Sequence, residues 1–232
     1  PHSAPATYLA GASAEALGDR QSALAYYQDY ARLRPLVSGY VLVRVGDLLQ
    51  TDGKLAEAAA AYDTSSKAGL PPSPTVDTLQ RLAELRTKQK DHLAAAATYE
   101  QILQIARSSW YRPLILSRLA ASYEAAGNPA KAQDAYLSIV FDYPQSDPAA
   151  SSLQALDKLG ARVDTFQRAT VLFNAEQYEQ ACQRALEHPG GRIVDEDVEP
   201  AGHAGNFPGH AGDLAGLLEV GLDEVGHAAA QL

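Results

Sequence analysis

The stretch VGDLLQTDGKLAEAAAAY, residues 45–62, decides the fold of this chain. Val45 and Leu49 are four residues apart, so they lie on one face of a helix. Gly53 interrupts that helix, because glycine readily takes the left-handed conformation in which helices often end. The alanine-rich run that follows, up to Tyr62, forms a second helix. The stretch therefore predicts a hairpin of two helices joined by a tight turn.

A pair made of an alanine and, four residues later, a tyrosine recurs along the chain. The steps between these alanines are 35, 37 and 37 residues. A fixed period in this range is typical of stacked helical hairpins, in which each unit buries its apolar face against its neighbours. We therefore predict an all-α solenoid of antiparallel helix hairpins. The residues predicted to pack between its helices are Ala23, Tyr27, Gly46, Ala58, Tyr62, Ala95, Tyr99, Tyr123, Ala132 and Tyr136.

The pattern divides the chain into a helical repeat array, residues 1–188, and a tail, residues 189–232. Pro71, Pro72 and Pro74 are expected to form a stiff connector, since proline cannot continue a helix. The predicted units span residues 4–35, 39–71, 76–107 and 113–144, followed by an extra helix at 146–159 and a degenerate unit at 164–187.

Two expectations concern the last part of the array. Ser146 or Asp147 is expected to cap the extra helix, with Pro148 in its first turn. In the degenerate unit, a first helix lined by Phe166, Ala169 and Phe173 is expected to precede a second helix through Tyr178, Ala181 and Ala185.

The negative charge of the chain is concentrated in the tail. The formal net charge is −9, yet from Gly190 onward eight acids accompany a single cation, Arg192. The repeat array is therefore nearly balanced, which argues against a nucleic-acid scaffold, since that would need a basic stripe. We expect the tail to be loop or disorder, with a weak helix at 211–232 because its glycines disfavour a stable one.

No uninterrupted apolar run is long enough to predict a membrane span. Because the sequence begins with Pro1 and contains no methionine, we expect a processed chain or an excerpt of a longer protein.

Residues that could carry chemistry are isolated from one another. Cys182 is the single cysteine, so it cannot form an internal disulfide and is expected to be a small buried residue. The acidic run at 195–197 lies among glycines and lacks the rigid frame that glycosidic chemistry needs. His203 and His210 do not match the close ligand pairs of zinc sites. We therefore predict no catalytic, cofactor-binding or metal site.

The repeated positions resemble the tetratricopeptide repeat. The resemblance implies a right-handed superhelix whose concave face, lined by the first helix of each hairpin, binds partner proteins. It covers residues 4–144 well and reaches residue 187 with degeneracy. The residues that carry it are Val45, Gly46, Gly53, Ala58, Tyr62 and Pro71, then Leu119, Ala120, Tyr123, Gly127, Ala132, Tyr136 and Pro144.

The repeat register also nominates the partner-contacting residues of that concave face. Some members of the family hold a peptide's terminal carboxylate with lysines and asparagines there, and the equivalent residues of this chain lack that clamp. Trp110 and Tyr111 lie in a connector, where they either cover a hairpin edge or present an anchor to a partner. The predicted concave-face contacts are Tyr8, Val43, Asp47, Gln80, Glu84, Lys88, Ser117 and Glu124.

A narrower resemblance links the stretch FDYPQSDPA, residues 141–149, and the stretch FNAEQYEQA, residues 173–181, to the helical-repeat region of bacterial soluble lytic transglycosylases. That resemblance implies a parent enzyme that cleaves peptidoglycan in the cell envelope with a separate catalytic domain. The leading hypothesis is a non-catalytic interaction scaffold that binds a protein or peptide partner, or a flanking domain of the same parent. The alternative is that the chain is the helical-repeat region of such an enzyme, which implies a location in the cell envelope. If the transglycosylase resemblance does not hold, a cytoplasmic location is expected.

Overall fold

The computed structural model describes residues 3–175, which form ten α-helices and one short 3-10 turn at Pro35–Val37. The helices are α1 (Ala4–Ala16), α2 (Arg20–Leu33), α3 (Ser38–Thr51), α4 (Leu55–Ser66), α5 (Pro72–Lys88), α6 (His92–Ile105), α7 (Arg112–Ala125), α8 (Pro129–Asp142), α9 (Pro148–Lys158) and α10 (Thr165–Asn174).

Successive helices pack as antiparallel hairpins, which confirms the predicted fold class. Helices α1 and α2, α3 and α4, α5 and α6, and α7 and α8 each form one pair. The second helix of each pair also packs against the first helix of the next. After the fourth pair, α9 packs against α8, and α10 contacts both α8 and α9.

Tight turns join the two helices of each pair. Gly18, Gly53 and Gly127 have positive φ angles of 80°, 75° and 73°, which glycine adopts without a steric cost. In the third hairpin Lys90 takes this conformation instead, with φ of 62°. Asp19 caps α2 by accepting a hydrogen bond from the Ser22 amide at 3.1 Å. Asp91 and Asn128 cap α6 and α8 in the same way.

The core runs along the stack as one continuous apolar layer. The repeated alanines at its centre, Ala23, Ala58, Ala95 and Ala132, have no exposed surface. They let the two helices of a pair approach closely, and a large side chain then fills the space beside them. Tyr62, for example, is 1% exposed and lies against the backbone of Gly46.

The proline connector before the third unit was predicted wrongly. Helix α5 begins at Pro72 and includes Pro74 in its first turn. Proline is tolerated there because the first amides of a helix have no partner within the helix. The Thr75 amide, the first that α5 bonds, donates to the Pro71 carbonyl at 3.0 Å.

Two expectations about the last helices also differ from the structure. Neither Ser146 nor Asp147 caps α9 by its side chain, since Asp147 makes no cap bond and Ser146 Oγ donates back to the Tyr143 carbonyl. In α10, Phe166 is 43% exposed, and the buried residues are Gln167, Val171 and Leu172. Gln167 anchors this face because its side-chain amide donates to the Val140 carbonyl at 2.6 Å.

The expectations for the second helix of the degenerate unit, for Cys182 and for the tail at 189–232 lie outside the described residues.

Candidate protein-interaction surface

Helices α1, α3, α5 and α7 are the first helices of their pairs, and the residues nominated from the sequence lie on them. We call the surface formed by these eight residues the first-helix face: Tyr8, Val43, Asp47, Gln80, Glu84, Lys88, Ser117 and Glu124. Tyr8, Glu84, Lys88 and Glu124 are exposed, and the other four are partly buried. Their role as partner contacts stays a prediction.

Three arginines tie the first helices to one another. Arg44 pairs with Glu15 at 2.7 Å, Arg81 with Asp47 at 2.7 Å, and Arg118 with Glu84 at 3.0 Å. In each pair the arginine belongs to the first helix that follows the one carrying the acid. We call these pairs the inter-repeat ladder. Two of its acids, Asp47 and Glu84, were nominated as partner contacts and are already paired within the chain.

The sequence held a signal for this ladder that the motif reasoning missed. Arg44, Arg81 and Arg118 follow one another at 37-residue steps, the spacing of the later alanine–tyrosine pairs. The acids of the ladder do not all share this period, because Glu15 does not occupy the repeat position of Asp47 and Glu84.

Three of the repeated tyrosines donate hydrogen bonds to acids of the first helices, and two of these acids belong to the ladder. The Tyr27 hydroxyl donates to Glu15 at 2.8 Å, and the Tyr62 hydroxyl donates to Asp47 at 2.7 Å. In the fourth pair Tyr136 donates to Glu124 at 2.6 Å. These tyrosines therefore fix acidic side chains of the first helices as well as filling the core.

The same contacts perturb the ionisation of the phenols. Burial, together with the hydrogen bond to Glu15, raises the pKa of Tyr27 to about 12. Burial and the carboxylates of Asp47 and Glu124 likewise hold the pKa values of Tyr62 and Tyr136 well above the ordinary phenol value. The phenols therefore remain neutral donors at physiological pH.

A polar cleft of about 220 Å³ opens between α3 and α5 on this face. Lys88 lines it and is an exposed cation with no ion pair among residues 3–175. Arg81 lines it with half of its side chain exposed while it is held by Asp47. The residues that line the cleft are Asp47, Gln50, Thr51, Arg81, Glu84, Leu85 and Lys88.

The two connector aromatics differ in their placement. Tyr111 is partly buried and donates its hydroxyl to the Gln80 side chain at 2.8 Å, so it covers the edge between α5 and α7. Trp110 is 77% exposed, and its ring meets that of Tyr111 edge-on at 5.6 Å.

Within residues 3–175, no cluster of three or more histidine, cysteine or acidic side chains could hold a metal ion. None of the helices in this part of the chain is both long enough and apolar enough to cross a bilayer.

Comparison with known proteins identifies the repeat. Residues 116–146 match the family model described as Tetratricopeptide repeat. No curated protein matches the sequence.

Among solved structures, the chain is similar to a tetratricopeptide repeat protein from Parabacteroides merdae, with a TM-score of 0.52 and 17% identity, over 85% of this chain and 80% of that one. A structure of MamA gives a TM-score of 0.50 at 14% identity, over 85% and 98% of the two chains. A structure of Naa15/Naa10 bound to HypK-THB gives 0.52 at 16% identity, where the match covers 84% of this chain and 32% of that longer one.

The chain thus carries a tetratricopeptide repeat and has the fold of the proteins built from it. The narrower resemblance to lytic transglycosylases is not supported by these matches. At such low identities the likeness to solved structures extends to the fold alone.

Proposed function

We propose that this chain is a protein-interaction module that holds a segment of a partner protein on its first-helix face. The observation that carries the proposal is the polar cleft between α3 and α5, which brings nominated residues from both helices together. A related fold occurs in Naa15/Naa10, whose structure has HypK-THB bound. The proposed role is non-catalytic.

The side chains of the face differ in what they offer a partner. Asp47 and Glu84 are neutralised by Arg81 and Arg118, so their charges are already satisfied within the chain. Lys88 is the one cation among the eight residues of the face, and it has no ion pair within residues 3–175. Its end of the face therefore suits an acidic side chain of the partner.

The α1 end of the face is aromatic rather than charged. Tyr8 is 44% exposed, and its ring lies against the rings of Tyr27 and Tyr30, with centroids 5.8 and 5.3 Å away. A fixed and exposed aromatic ring is the kind of group that carries binding energy at interfaces. The partner segment is therefore expected to combine an apolar residue with an acidic one.

The test compares proteins captured by two charge-reversal variants. Lys88→Glu changes the cleft, and Lys54→Glu changes an exposed lysine in the turn between α3 and α4, as the matched control. Captured proteins are quantified by mass spectrometry on wild type and both variants, after circular dichroism has confirmed equal helix content.

The proposal expects a partner that is retained by wild type and Lys54→Glu and reduced at least about tenfold with Lys88→Glu, a loss of about 1.4 kcal/mol in binding. Retention that is equal on all three proteins, or loss with Lys54→Glu alone, would place the binding surface elsewhere. Capture of no protein by the wild type would count against an interaction module.

A further inference from the structure

Lys88 lacks an ion pair that the sequence of its own helix would provide. Glu84 precedes it by four residues on α5, and an acid at this distance before a lysine is well placed to pair with it on a helix surface. The same spacing does give a pair at the end of α4, where Lys67 Nζ lies 2.6 Å from the Asp63 carboxylate. On α5 the carboxylate instead lies 3.0 Å from the guanidinium of Arg118, which belongs to α7.

Two donors occupy the Glu84 carboxylate. Arg118 Nη1 and Gln80 Nε2 both donate to Glu84 Oε1, at 3.0 and 3.1 Å. A hydrogen bond to an ionised group is stronger than one between neutral groups. The competing pair with Lys88 would be exposed and therefore weak, because two long side chains would lose rotamer freedom to form it. The contacts with Arg118 and Gln80 together keep Glu84 away from Lys88.

Tyr111 sets the orientation of the Gln80 amide group. The Tyr111 hydroxyl donates to Gln80 Oε1 at 2.8 Å, which leaves the Nε2 group of Gln80 facing Glu84. The flipped amide would place an oxygen against the Glu84 carboxylate, and two acceptors cannot share a hydrogen bond without a proton. Burial raises the pKa of Tyr111, so this phenol stays a donor at physiological pH.

Both of these outer residues lie outside the polar cleft. Arg118 is on α7 and Tyr111 is in the connector before it, and neither lines the cleft between α3 and α5. Asp47, the other acid of the cleft, is held by Arg81 at 2.7 Å. Both acids of the cleft are therefore occupied within the chain, which leaves the ammonium group of Lys88 unpaired.

We propose that Arg118 and Tyr111 are positioning residues of the cleft, which hold Glu84 directly and through Gln80 and so keep Lys88 available to an acidic group of the partner. The inference rests on the function proposed for the first-helix face. It adds that the following repeat sets the preference of the α3–α5 cleft for an acid. Without the contacts from α7 and its connector, Glu84 would pair with Lys88 and that preference would weaken.

Acylation of lysine amines tests the positioning without any partner. The full chain is treated with a limiting amount of N-hydroxysuccinimide acetate, and mass spectrometry gives the rate at Lys88 relative to Lys54 of the same molecule. The reagent attacks the neutral amine, which an adjacent carboxylate disfavours. Arg118→Gln is therefore expected to slow Lys88 by about twofold, the factor that corresponds to an ion pair between residues i and i+4. Arg44→Gln, at the ladder position of α3, is the matched control and should leave the ratio unchanged.

A second substitution separates pairing with Glu84 from a general disturbance of the fold. Combining Arg118→Gln with Glu84→Gln removes the acid, so the relative rate at Lys88 should return at least to the wild-type value. Tyr111→Phe should slow Lys88 less than Arg118→Gln does, because Arg118 still holds Glu84. An unchanged rate in Arg118→Gln, or a double variant that stays slow, would overturn the proposal. Wild-type labelling of Tyr111→Phe would overturn the role of Tyr111.

Binding separates this inference from the proposed function. For the partner identified by the capture experiment, Arg118→Gln should lower the affinity by about twofold, and the double variant should restore it. Equal affinity for wild type and Arg118→Gln would refute the inference while the proposed function stands. Capture of no partner by the wild type would count against the proposed function, and the labelling rates would still decide whether Arg118 and Tyr111 hold Glu84 away from Lys88.

Discussion

At the scale of single residues, one close approach sets the geometry of the second hairpin. A Cβ atom on Gly46 would lie 2.5 Å from Cε1 of Tyr62, a distance that real structures do not tolerate. The ring cannot simply move aside, because Tyr62 is 1% exposed and its hydroxyl is held by Asp47. The absence of a side chain at position 46 is therefore what lets α3 and α4 pack.

The sign of the change in the free energy of unfolding caused by Gly46→Ala tests this contact. Alanine normally stabilises a helix by about 1 kcal/mol relative to glycine, so an uncrowded site would become more stable. We expect the opposite, a loss of about 1–3 kcal/mol from overpacking, measured by urea unfolding.

Ala60→Gly, at an exposed residue of α4, calibrates the helix propensity alone and should cost about 1 kcal/mol. A Gly46→Ala variant that is more stable than wild type would show that Tyr62 does not press on this backbone.

The tyrosines also show what the sequence predicts at this scale and what it does not. Burial of the repeated alanines and tyrosines follows from their spacing, because the 3.6-residue helical period brings them onto one face. The identity of the acid that accepts each hydroxyl's hydrogen bond does not follow from the spacing. Tyr27 donates to an acid 12 residues before it, whereas Tyr62 donates to one 15 residues before it. A polar side chain reaches its partner by rotamer choice, which a spacing pattern does not encode.

At the scale of the element, the turn of the third hairpin departs from its neighbours. Lys90 adopts φ of 62° where the fourth hairpin uses Gly127 at 73°. The left-handed conformation crowds the Cβ atom of a non-glycine residue and costs roughly 1–2 kcal/mol. The third hairpin therefore keeps its geometry at a local cost, sustained by the capping bond of Asp91.

Exchanging the residues of these two turns measures that cost. Lys90→Gly should raise the free energy of unfolding by up to about 1 kcal/mol, because relief of strain exceeds the added freedom of glycine in the unfolded chain. Gly127→Lys should lower it by about 1–2 kcal/mol. Thermal unfolding of both variants provides the measurement, with Gln89→Gly, at an ordinary helical φ of −74°, as the control. A Lys90→Gly variant less stable than wild type would contradict the assigned strain.

Helix boundaries were predicted least well where proline is involved. The sequence predicts that Pro72 and Pro74 interrupt the helices, although both occupy the first turn of α5. Proline disrupts a helix that would continue into it from the N-terminal side, but it is tolerated in the first turn of a helix. The same residue that ends one helix can therefore begin the next. The pattern alone does not distinguish the two roles.

At the scale of the whole molecule, the period predicts the fold because the contacts of each hairpin are with its immediate neighbours. The binding surface is predictable only as a face. Which of its side chains are available depends on the inter-repeat ladder, whose ion pairs join residues up to 34 positions apart. Asp47 and Glu84 illustrate this, since their place in the repeat register suggested a partner contact and the fold provides an arginine for each.

The neighbour-only contacts make a prediction about how the stack loses structure. Ile139 of α8 is fully buried, and Ile139→Ala should destabilise its surroundings by about 2–5 kcal/mol through the lost contacts and the cavity left behind. In a linear array of repeats, this loss of stability is confined to the helices near the substituted residue. Amide hydrogen exchange should accelerate in α7, α8 and α9, which pack against one another, and change much less in α1 and α2. Leu93→Ala, at an exposed leucine, should leave every helix unchanged. Equal acceleration in all helices of the Ile139→Ala variant would mean that the described helices open as a single cooperative unit.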